Sequence, residues 1–527
     1  MGKAENAMSN HPDSVLDYKI VRGIIWNDLD KLNKLLDTIL DVGICGFDLE
    51  SSSPTSIKID YSRHKRESII VGASLAYIKD KTIYTYYIPL NHKKVVDVLF
   101  KFVAPKSSKD DKVENPLTYI KERLGDQLRS NTFVTNFQNR IIENPDVTVV
   151  GHNLIYDLGV LGQNLLRQNK EFTIKCAIKD SMISSYLLHK ERKGLKFRSK
   201  IDLYYDMEIL SDIVTDYSRL DETTIQDMCC YAQDDAWTPL LLIKTHEESF
   251  KNHKAHQRKQ NVFDTIENPT SVALAVMEHT GMKVDINRMQ VIHSNLTDQI
   301  KELEDSCFST IGRKINLRST DQVSALLFDD LGWWKPMSVW KRNKKGLYSC
   351  DKFTLEDLDY YSDLTTEEGK TFVEYYKNYN SICTLASSFT GKIPHICDKN
   401  WRVHCRYNQT VTSTNRLSSS DPNLQNIPSR SENGRLIRSC FIAEHGWSVV
   451  AADYSQMELR ILAHLTKDEM LIKAFREEID IHTLTAELVG VDRNTAKTIN
   501  YSVTYGTGAA RLGRTLKIPK QQAQEYL

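Results

Sequence analysis

The 527-residue sequence has no excess of charge of either sign, because 69 lysines and arginines balance 69 aspartates and glutamates. Net charge therefore neither requires nor excludes a nucleic-acid partner. No stretch approaches 18 uninterrupted apolar residues, so no membrane-spanning helix is expected. The ten cysteines are scattered without a CxxC pair, which argues against a zinc knuckle and favours reduced thiols in a cytoplasm-like compartment.

The first residues also lack the apolar core of a secretory signal, and residues 1–17 are expected to form a flexible arm. Short basic clusters occur at 192–200, 251–259 and 341–346. Each of them suits a nucleic-acid cleft, and each suits a solvated surface equally well or better.

Strands and helices alternate from residue 18 to residue 255. Apolar runs at 42–50 and 68–78 and a β-branched, aromatic run at 82–90 predict strands. Residues 146–166 predict a strand that continues into an amphipathic helix, and the proline-bounded stretch 104–116 predicts a polar loop. This alternation of strands and helices indicates an α/β domain of ordinary size.

The order of predicted elements is different in residues 256–527. Long helical patterns occupy 265–310 and 353–390, strands are predicted again at 401–411 and 448–454, and helices follow to the end. A second, discontinuous domain is therefore expected from residue 256 onward.

Four acids and a tyrosine form the first chemical constellation. Asp48 and Glu50 lie two apart on a predicted strand and face one side of it. Asp157 lies near a predicted helix start, and Tyr231 and Asp235 share one helix face. Converging carboxylates suit Mg²⁺ or Mn²⁺, which can activate water at a phosphodiester, with the tyrosine orienting that water. Taken singly, surface acids and a core aromatic are the alternatives.

The segments FDLE, VVGHNLIYDLGVL, KDSMISSYLL and YAQDDAWTPLLL, in this order, resemble the 3′–5′ proofreading exonuclease domain of the four-acid-and-tyrosine type found in DNA polymerase I. The resemblance implies a ribonuclease H-like fold over 18–255 and single-stranded 3′ ends as substrate. It also implies two Mg²⁺ or Mn²⁺ ions held by Asp48, Glu50, Asp157 and Asp235, with Tyr231 positioning the water.

A second set of candidates lies in residues 407–454. Hydroxyl and amide side chains with a single Arg416 fill 407–428, which suits phosphate and minor-groove contacts, although a polar surface loop has the same composition. Arg438 is expected on a strand within 434–446. An apolar strand ending at Asp453 would place this acid at a sheet edge, with the Tyr454 carbonyl contributing a further oxygen to the same ion.

Residues 492–506 predict a helix in which Arg493, Lys497, Tyr501 and Tyr505 follow one another at intervals of four and share a broad face. Two cations and two aromatic rings suit the phosphates and the base of a nucleoside triphosphate. An amphipathic helix that packs its stems and rings on a neighbour is the alternative.

The run 407–512 resembles the polymerase domain of family A DNA polymerases, and VMEHTGMKVDINRM and INLRSTDQVSALLFDDLGW resemble the part that leads into its thumb. The resemblance implies a partial right-hand polymerase domain over 256–527. Its helical thumb would span about 286–398, its incomplete palm about 400–465 and its incomplete fingers about 466–527.

The resemblance also implies individual roles. Asp453 would be a catalytic metal-binding aspartate, Glu458 would crowd a ribose 2′-hydroxyl, and Lys497 would donate a proton to pyrophosphate. Asn494 and Ser502 depart from the arginine and glycine that are usual there. The residues expected to contact the incoming dNTP are Gln456, Glu458, His482, Arg493, Lys497, Tyr501 and Tyr505. Those expected to contact primer–template DNA are Arg416, Gln425, Asn426 and Arg438.

Family A enzymes take a second palm carboxylate from a later HDE motif, and no HDE occurs in the sequence. Three interpretations remain open. The first is the N-terminal part of a proofreading DNA polymerase of replication or repair, with the rest supplied by a second polypeptide, a spliced product or further coding sequence. The second is a 3′–5′ exonuclease with a synthesis-incompetent polymerase remnant. The third, a non-catalytic DNA- or nucleotide-binding fragment, is disfavoured by the complete set of acids. A bacterial or viral-host cytoplasm is the expected location, with an organelle left open.

Overall fold

The computed structural model describes residues 18–26, 28–52, 68–92, 130–331, 342–351, 354–355, 358 and 366–527. The expected arm at 1–17 and the expected loop at 104–116 lie outside these residues. The chain divides into two compact units, the first formed by Met1–Val284 with His395–Phe441 and the second by Asp285–Pro394 with Ile442–Leu527.

A six-stranded mixed sheet organises the first unit, in the order β1-β4-β3-β2-β5-β6. Strand β3 pairs antiparallel with β2 and β4, and the other pairs are parallel. The strands predicted at 42–50, 68–78 and 82–90 are confirmed as β2, β3 and β4. The strands are β1 (Lys19–Ile24), β2 (Ile44–Ser52), β3 (Ile69–Lys79), β4 (Thr82–Pro89), β5 (Thr148–Gly151) and β6 (Ala177–Asp180).

Nine helices of the first unit connect or cover these strands within its described residues before Val284, and the longest of them packs across β2, β3 and β4. They are α1 (Leu29–Val42), α2 (Ser130–Phe137), α3 (Leu154–Arg167), α4 (Ser181–His189), α5 (Leu195–Asp202), α6 (Leu210–Ile213), α7 (Ile225–Asn252), α8 (Gln257–Val262) and α9 (Asn268–Thr280). A π turn (Gln138–Ile142) follows α2, a 3-10 turn (Tyr217–Glu222) precedes α7, and a π turn (Phe263–Glu267) precedes α9. Trp237, a residue of α7, is fully buried in the core that this helix forms with the sheet.

The rest of the chain is mainly helical. In chain order it contains β7 (Met282–Val284), α10 (Ile286–Ile311), α11 (Thr320–Ala325) with a π turn (Leu326–Asp330), α12 (Glu367–Leu385) with a π turn (Ala386–Thr390), α13 (Ile393–Ile396), β8 (Arg402–Val403), β9 (Arg406–Asn408), β10 (Ser418–Ser420), a 3-10 turn (Leu424–Asn426), α14 (Glu432–Arg438), β11 (Phe441–Ile442), α15 (Met457–Thr466), α16 (Glu469–Arg476), α17 (Ile481–Val489), α18 (Arg493–Thr504), α19 (Ala509–Leu516) and α20 (Lys520–Tyr526). The helix predicted at 492–506 is confirmed as α18.

Two strand predictions and one helix prediction need correction. The single strand expected at 401–411 is two short strands, because β8 pairs with β7 whereas β9 pairs with β10. The helical pattern at 265–310 is interrupted by Gly281, whose φ of 65° ends α9, and by β7. The strand expected at 448–454 does not form, and Val449 and Val450 are largely exposed. A strand needs neighbours for its backbone groups, and no described residue pairs with this segment.

Arg438 is also placed differently from the prediction. It is the last residue of α14 rather than part of a strand. Ser431 caps this helix, since its side chain accepts the N–H of Gly434, and Gly434 and Ile437 are buried three residues apart. Helical spacing therefore outweighs the apolar run that suggested a strand. In the described part of the chain, no helix is both long and apolar enough to cross a bilayer.

Candidate active site

Three carboxylates of the first unit converge between β2 and α7. Asp48, Glu50 and Asp235 each place an oxygen within 4.8 Å of the other two. Helix α7 can approach β2 this closely because position 46 is glycine. A Cβ atom on Gly46 would lie 2.2 Å from the carbonyl oxygen of Ala236, next to Asp235. The predicted same-side placement of the β2 acids is confirmed by this grouping.

The fourth predicted acid, Asp157, lies beside this group. It is on the first turns of α3, is 4% exposed, and accepts the N–H of Leu49 at 3.2 Å. This hydrogen bond attaches it to β2 between Asp48 and Glu50. Asp157 is not one of the three acids whose oxygens lie within 4.8 Å of one another. In addition to burial, its negative charge contributes to the raised pKa of Asp48 and of Glu50.

Helix α3 begins at this position because a buried carboxylate receives its first N–H groups. Asp180, at the end of β6, accepts the N–H of Asn153 at 2.9 Å and that of Leu154 at 2.8 Å. The same side chain caps α4 through the N–H of Met182. Asn153 adopts the left-handed conformation, with φ of 66°, which turns the chain from β5 into α3. The position of Asp157 follows from this turn.

The pKa values of all three carboxylates in the cluster are raised. Burial, followed by the charges of Glu50, Asp157 and Asp235, raises the pKa of Asp48 well above its ordinary value. Burial, followed by the charge of Asp235, raises the pKa of Glu50 to about 8. The pKa of Asp235 is also raised, mainly by burial. Clustered buried carboxylates of this kind are stabilised in the ionised form by hard divalent cations. The donor set therefore fits Mg²⁺ or Mn²⁺.

Tyr231 lies one helical turn before Asp235 and hydrogen-bonds to it. Burial, followed by the charge of Asp235, raises the pKa of Tyr231, so its hydroxyl keeps its proton. Lys196 of α5 forms an ion pair with Asp235, and its Nζ lies 4.1 Å from the centre of the Tyr231 ring. The sequence showed Lys196 only as a member of the basic cluster 192–200.

The structure distinguishes the two adjacent aspartates of the YAQDDAW motif. Asp234 accepts Arg22 Nη2 at 2.5 Å, the Tyr205 hydroxyl at 2.8 Å and the Trp237 indole N–H at 2.8 Å. Its carboxylate therefore forms hydrogen bonds that connect α7 with Arg22 on β1 and with Tyr205. Only Asp235 belongs to the acid cluster.

A second group with metal-ligand character lies nearby in the first unit. His189, Asp202 and His246 bring one ligand atom each within 4.8 Å of the others. The guanidinium of Arg198 already lies among them, with Nη2 2.7 Å from His189 Nε2 and Nε 2.7 Å from Asp202 Oδ2. His246 Nε2 lies 2.9 Å from Asp202 Oδ2. The arginine supplies the positive charge here, so this group is a structural network.

The residues expected to contact a nucleotide lie in the second unit. Arg493 pairs with Asp480 at 2.6 Å, and the Tyr505 hydroxyl donates to Glu458. The rings of Tyr501 and Tyr505 are stacked with centroids 6.3 Å apart. These contacts connect the start and end of α18 with α17 and α15.

His482 and Gln456 complete this nucleotide-type group, with different surroundings. His482 is 2% exposed, and its Nδ1 accepts a hydrogen bond from Asn500 Nδ2 at 3.1 Å. The centre of its ring lies 5.8 Å from that of Tyr501. Gln456 precedes α15 with φ of 49°, and its buried side-chain oxygen has no hydrogen-bond partner. Lys497 is exposed on α18.

Asp453 and Tyr454 lie in the exposed segment that precedes α15, and Tyr454 is 81% exposed. Within the described residues, no group of metal-ligating side chains forms around Asp453. The described residues of the second unit therefore include cationic and aromatic side chains but no cluster of carboxylates.

The residues expected to contact DNA lie in the first unit. Arg416 is exposed in the connection between β9 and β10, and Gln425 and Asn426 are exposed in a 3-10 turn. This turn is held by Ser419, whose hydroxyl accepts the N–H of Gln425 at 3.1 Å. Arg438 is exposed at the end of α14. These four side chains are therefore at the surface.

The sheet order defines the strand-containing part of the first unit as an α/β domain of ribonuclease H-like topology. Residues 118–247 match a 3′–5′ exonuclease family model, and residues 286–527 match the model of DNA polymerase family A. The chain belongs to DNA polymerase family A, as a DNA polymerase I-like protein with a 3′–5′ exonuclease domain.

Curated relatives agree with these matches. DNA polymerase I of Pseudomonas aeruginosa is 32% identical over 404 residues, covering 73% of this chain and 42% of the relative. That of Synechocystis sp. is 30% identical over 430 residues, covering 78% and 41%. The thermostable DNA polymerase I of Thermus thermophilus is 36% identical over 354 residues, covering 65% and 41%. The chain thus spans about two fifths of the length of these relatives.

A solved structure has a similar fold. It is the polymerase domain of Pol1 from M. smegmatis in complex with DNA primer-template and dNTP. The TM-score is 0.68 at 22% identity, and the match covers 96% of this chain and 75% of the other. At this identity the likeness concerns the fold.

Proposed function

We propose that the first unit is a 3′–5′ exonuclease that removes nucleotides from single-stranded DNA ends and thereby proofreads for a DNA polymerase. The observation that carries this proposal is the convergence of Asp48, Glu50 and Asp235 within 4.8 Å, beside Asp157 and Tyr231. These are the five residues that the resemblance assigned to exonuclease chemistry.

In this proposal the carboxylates hold two Mg²⁺ or Mn²⁺ ions, which when bound supply water activation and charge stabilisation at the phosphate. Tyr231, fixed by its hydrogen bond to Asp235, orients the attacking water. The water oxygen bonds to the terminal phosphorus and the bond to the 3′ oxygen breaks. That oxygen leaves with a proton, so the products are a nucleoside 5′-monophosphate and a shortened strand with a 3′-hydroxyl.

The test is degradation of a 5′-labelled single-stranded oligonucleotide by the purified chain in Mg²⁺ or Mn²⁺. We expect stepwise shortening from the 3′ end, and we expect Asp48→Ala to reduce the rate by about 100-fold or more because one metal-binding carboxylate is lost. Asp206→Ala is the matched control, since Asp206 is an exposed acid that pairs with Lys200. Equal rates for wild type and Asp48→Ala would refute the proposal.

We further propose that the polymerase part of the chain, residues 256–527, binds primer–template DNA and dNTP but requires another carboxylate for synthesis. Arg493, Lys497 and Tyr501 would contact the dNTP, and Asp453 would hold a metal ion. The proposal is supported by the absence of an HDE motif from the 527 residues and of an acid cluster around Asp453 in the described residues. A second polypeptide, a spliced product or further coding sequence that bears this motif is the proposed source of this carboxylate.

Primer extension distinguishes the two leading interpretations. The chain alone should bind primer–template DNA and extend it at no measurable rate. Synthesis that appears on addition of a polypeptide carrying an HDE motif supports a divided polymerase. Binding without synthesis under the same conditions supports a stand-alone exonuclease with a polymerase remnant. Robust extension by the chain alone would contradict the requirement for another carboxylate.

A further inference from the structure

The acid cluster of the first unit contains a cation of its own. Lys196 is paired with Asp235, and its charge lowers the pKa of Asp48, Glu50 and Asp235, opposing the increase that burial causes. The side chain of Asp235 is 11% exposed and that of Lys196 is 29% exposed, so the pair lies at the opening of the cluster rather than deep inside it.

This position conflicts with metal binding. An ammonium group on Asp235 occupies the coordination space of one carboxylate and repels an arriving divalent ion. A metal ion that takes Asp235 must therefore displace Lys196. A displaced, partly buried ammonium group needs another anionic partner, because desolvation without one is costly. The anion that enters this site under the proposed function is the phosphate of the 3′-terminal nucleotide.

The geometry of Lys196 suits such a movement. Its Nζ lies 4.1 Å from the centre of the Tyr231 ring, and Tyr231 is the residue proposed to orient the attacking water. Lysine has a four-carbon stem with free rotation and carries a compact charge that binds phosphate without fixed directionality. A short swing of the stem changes the partner of the ammonium group while the backbone of α5 stays in place.

We propose that Lys196 is a further residue of the exonuclease reaction, occupying Asp235 until metal ions bind and then contacting the phosphate of the terminal nucleotide. This inference rests on the proposed exonuclease function. It predicts opposite changes in two binding constants, because Lys196 competes with the metal ion but assists the phosphate. A side chain that only supported the fold would weaken both.

The test uses the full chain with Lys196→Met and Lys196→Gln, which remove the charge, and Lys196→Arg, which keeps it. Mn²⁺ binding without DNA is followed by electron paramagnetic resonance of the free ion. We expect Mn²⁺ to bind about three- to tenfold more tightly to both uncharged variants than to wild type. Lys196→Arg should remain near wild type. Lys200→Met is the matched control, because Lys200 lies on the same helix and pairs with Asp206 at the surface.

The second measurement is calorimetric binding of thymidine 5′-monophosphate, a product-type probe, at saturating Mn²⁺. We expect about three- to tenfold weaker binding to Lys196→Met and Lys196→Gln. The rate of 3′-end hydrolysis at saturating Mn²⁺ should fall about tenfold or more in the same variants. Weaker or unchanged Mn²⁺ binding would overturn the competition, and unchanged monophosphate binding would overturn the phosphate contact. Equal effects in Lys200→Met would assign the changes to general surface charge and overturn both.

These binding readouts remain decisive if the exonuclease proposal fails. A wild-type chain that hydrolyses no DNA would refute the proposed function. The Mn²⁺ and monophosphate titrations would still decide whether Lys196 exchanges partners. Asp48→Ala, which removes a proposed metal ligand and leaves Lys196 in place, identifies the Mn²⁺ signal that belongs to this cluster.

Discussion

Substitutions of the two adjacent aspartates of α7 should affect stability to very different extents. Asp234 accepts three hydrogen bonds while 3% exposed, and one of its donors is the charged Arg22. Asp235 belongs to a buried acid cluster in which burial opposes its ionisation, as its raised pKa shows. Asp234→Asn should therefore destabilise the first unit, whereas Asp235→Asn should change its stability little near neutral pH, because loss of the ion pair with Lys196 is offset by relief of the repulsion among the buried acids.

The magnitude for Asp234→Asn follows from its three donors. Asparagine keeps one acceptor oxygen but loses the charge that strengthens the bonds from Arg22, Tyr205 and Trp237. Breaking a buried ion pair costs about 3–5 kcal/mol, and the 30% exposure of the Arg22 side chain reduces this penalty because water can replace part of the contact. A loss of about 2–4 kcal/mol remains, which corresponds to a decrease in Tm of roughly 5–10 °C.

Thermal unfolding monitored by circular dichroism in the presence of a chelator measures both variants. An Arg22→Met variant completes a double-mutant cycle with Asp234→Asn, and we expect the two losses to be less than additive because both remove the same ion pair. Exonuclease assays separate the roles further. Asp235→Asn should abolish cleavage while folded, and Asp234→Asn should retain it below its lowered Tm. A larger Tm decrease for Asp235→Asn than for Asp234→Asn would refute this reasoning.

Two further predictions concern the cluster and its packing. The pKa of Glu50 rises from 4.5 to about 8 on folding, so between these pH values the folded state binds more protons than the unfolded state. The contribution of Glu50 to stability is therefore fully present below about pH 4.5 and is lost as pH rises through about 8. The Tm difference between wild type and Glu50→Gln in chelator should therefore fall as pH rises, and saturating Mg²⁺ should oppose the fall; a flat difference would contradict the shift. Gly46→Ala should cost about 2–4 kcal/mol and weaken Mn²⁺ binding, because its Cβ would meet the Ala236 carbonyl at 2.2 Å. Gly194→Ala, whose Cβ meets nothing within 4 Å, is the control, and equal melting curves for the two variants would contradict the packing argument.

Local patterns predicted the parts of the fold that depend on neighbours along the chain. The alternation of Asp48 and Glu50 on β2 needed only the two-residue period of a strand, and α18 needed only the four-residue spacing of its side chains. The segment 448–454 has the same apolar character as a strand but forms none, because pairing depends on partners that its own residues do not reveal. Arg438 was wrongly expected on a strand, since the cap at Ser431 outweighs the apolar run.

The candidate site was predictable to the same degree. Its acids were identifiable from their order and spacing, but Lys196 was not, because its ion pair with Asp235 joins residues on separate helices. A lysine in a basic cluster has the same local signature whether it faces solvent or a distant carboxylate. Asp235 rather than Asp234 was predicted from its four-residue spacing to Tyr231, but the pairing of Asp234 with Arg22 on β1 was not predicted.

The exposed segment around Asp453 links the proposed need for another carboxylate with the burial of apolar surface. Trp447, Val449 and Val450 are 79%, 60% and 86% exposed, so their apolar surfaces are in water. Apolar surface of this extent gains free energy when another element covers it. Under the proposed arrangement, an element that brought a carboxylate to Asp453 would also lie where it could cover this segment. Metal competence of the polymerase site and burial of this segment would then be one event, because the same association would provide both the ligand and the cover.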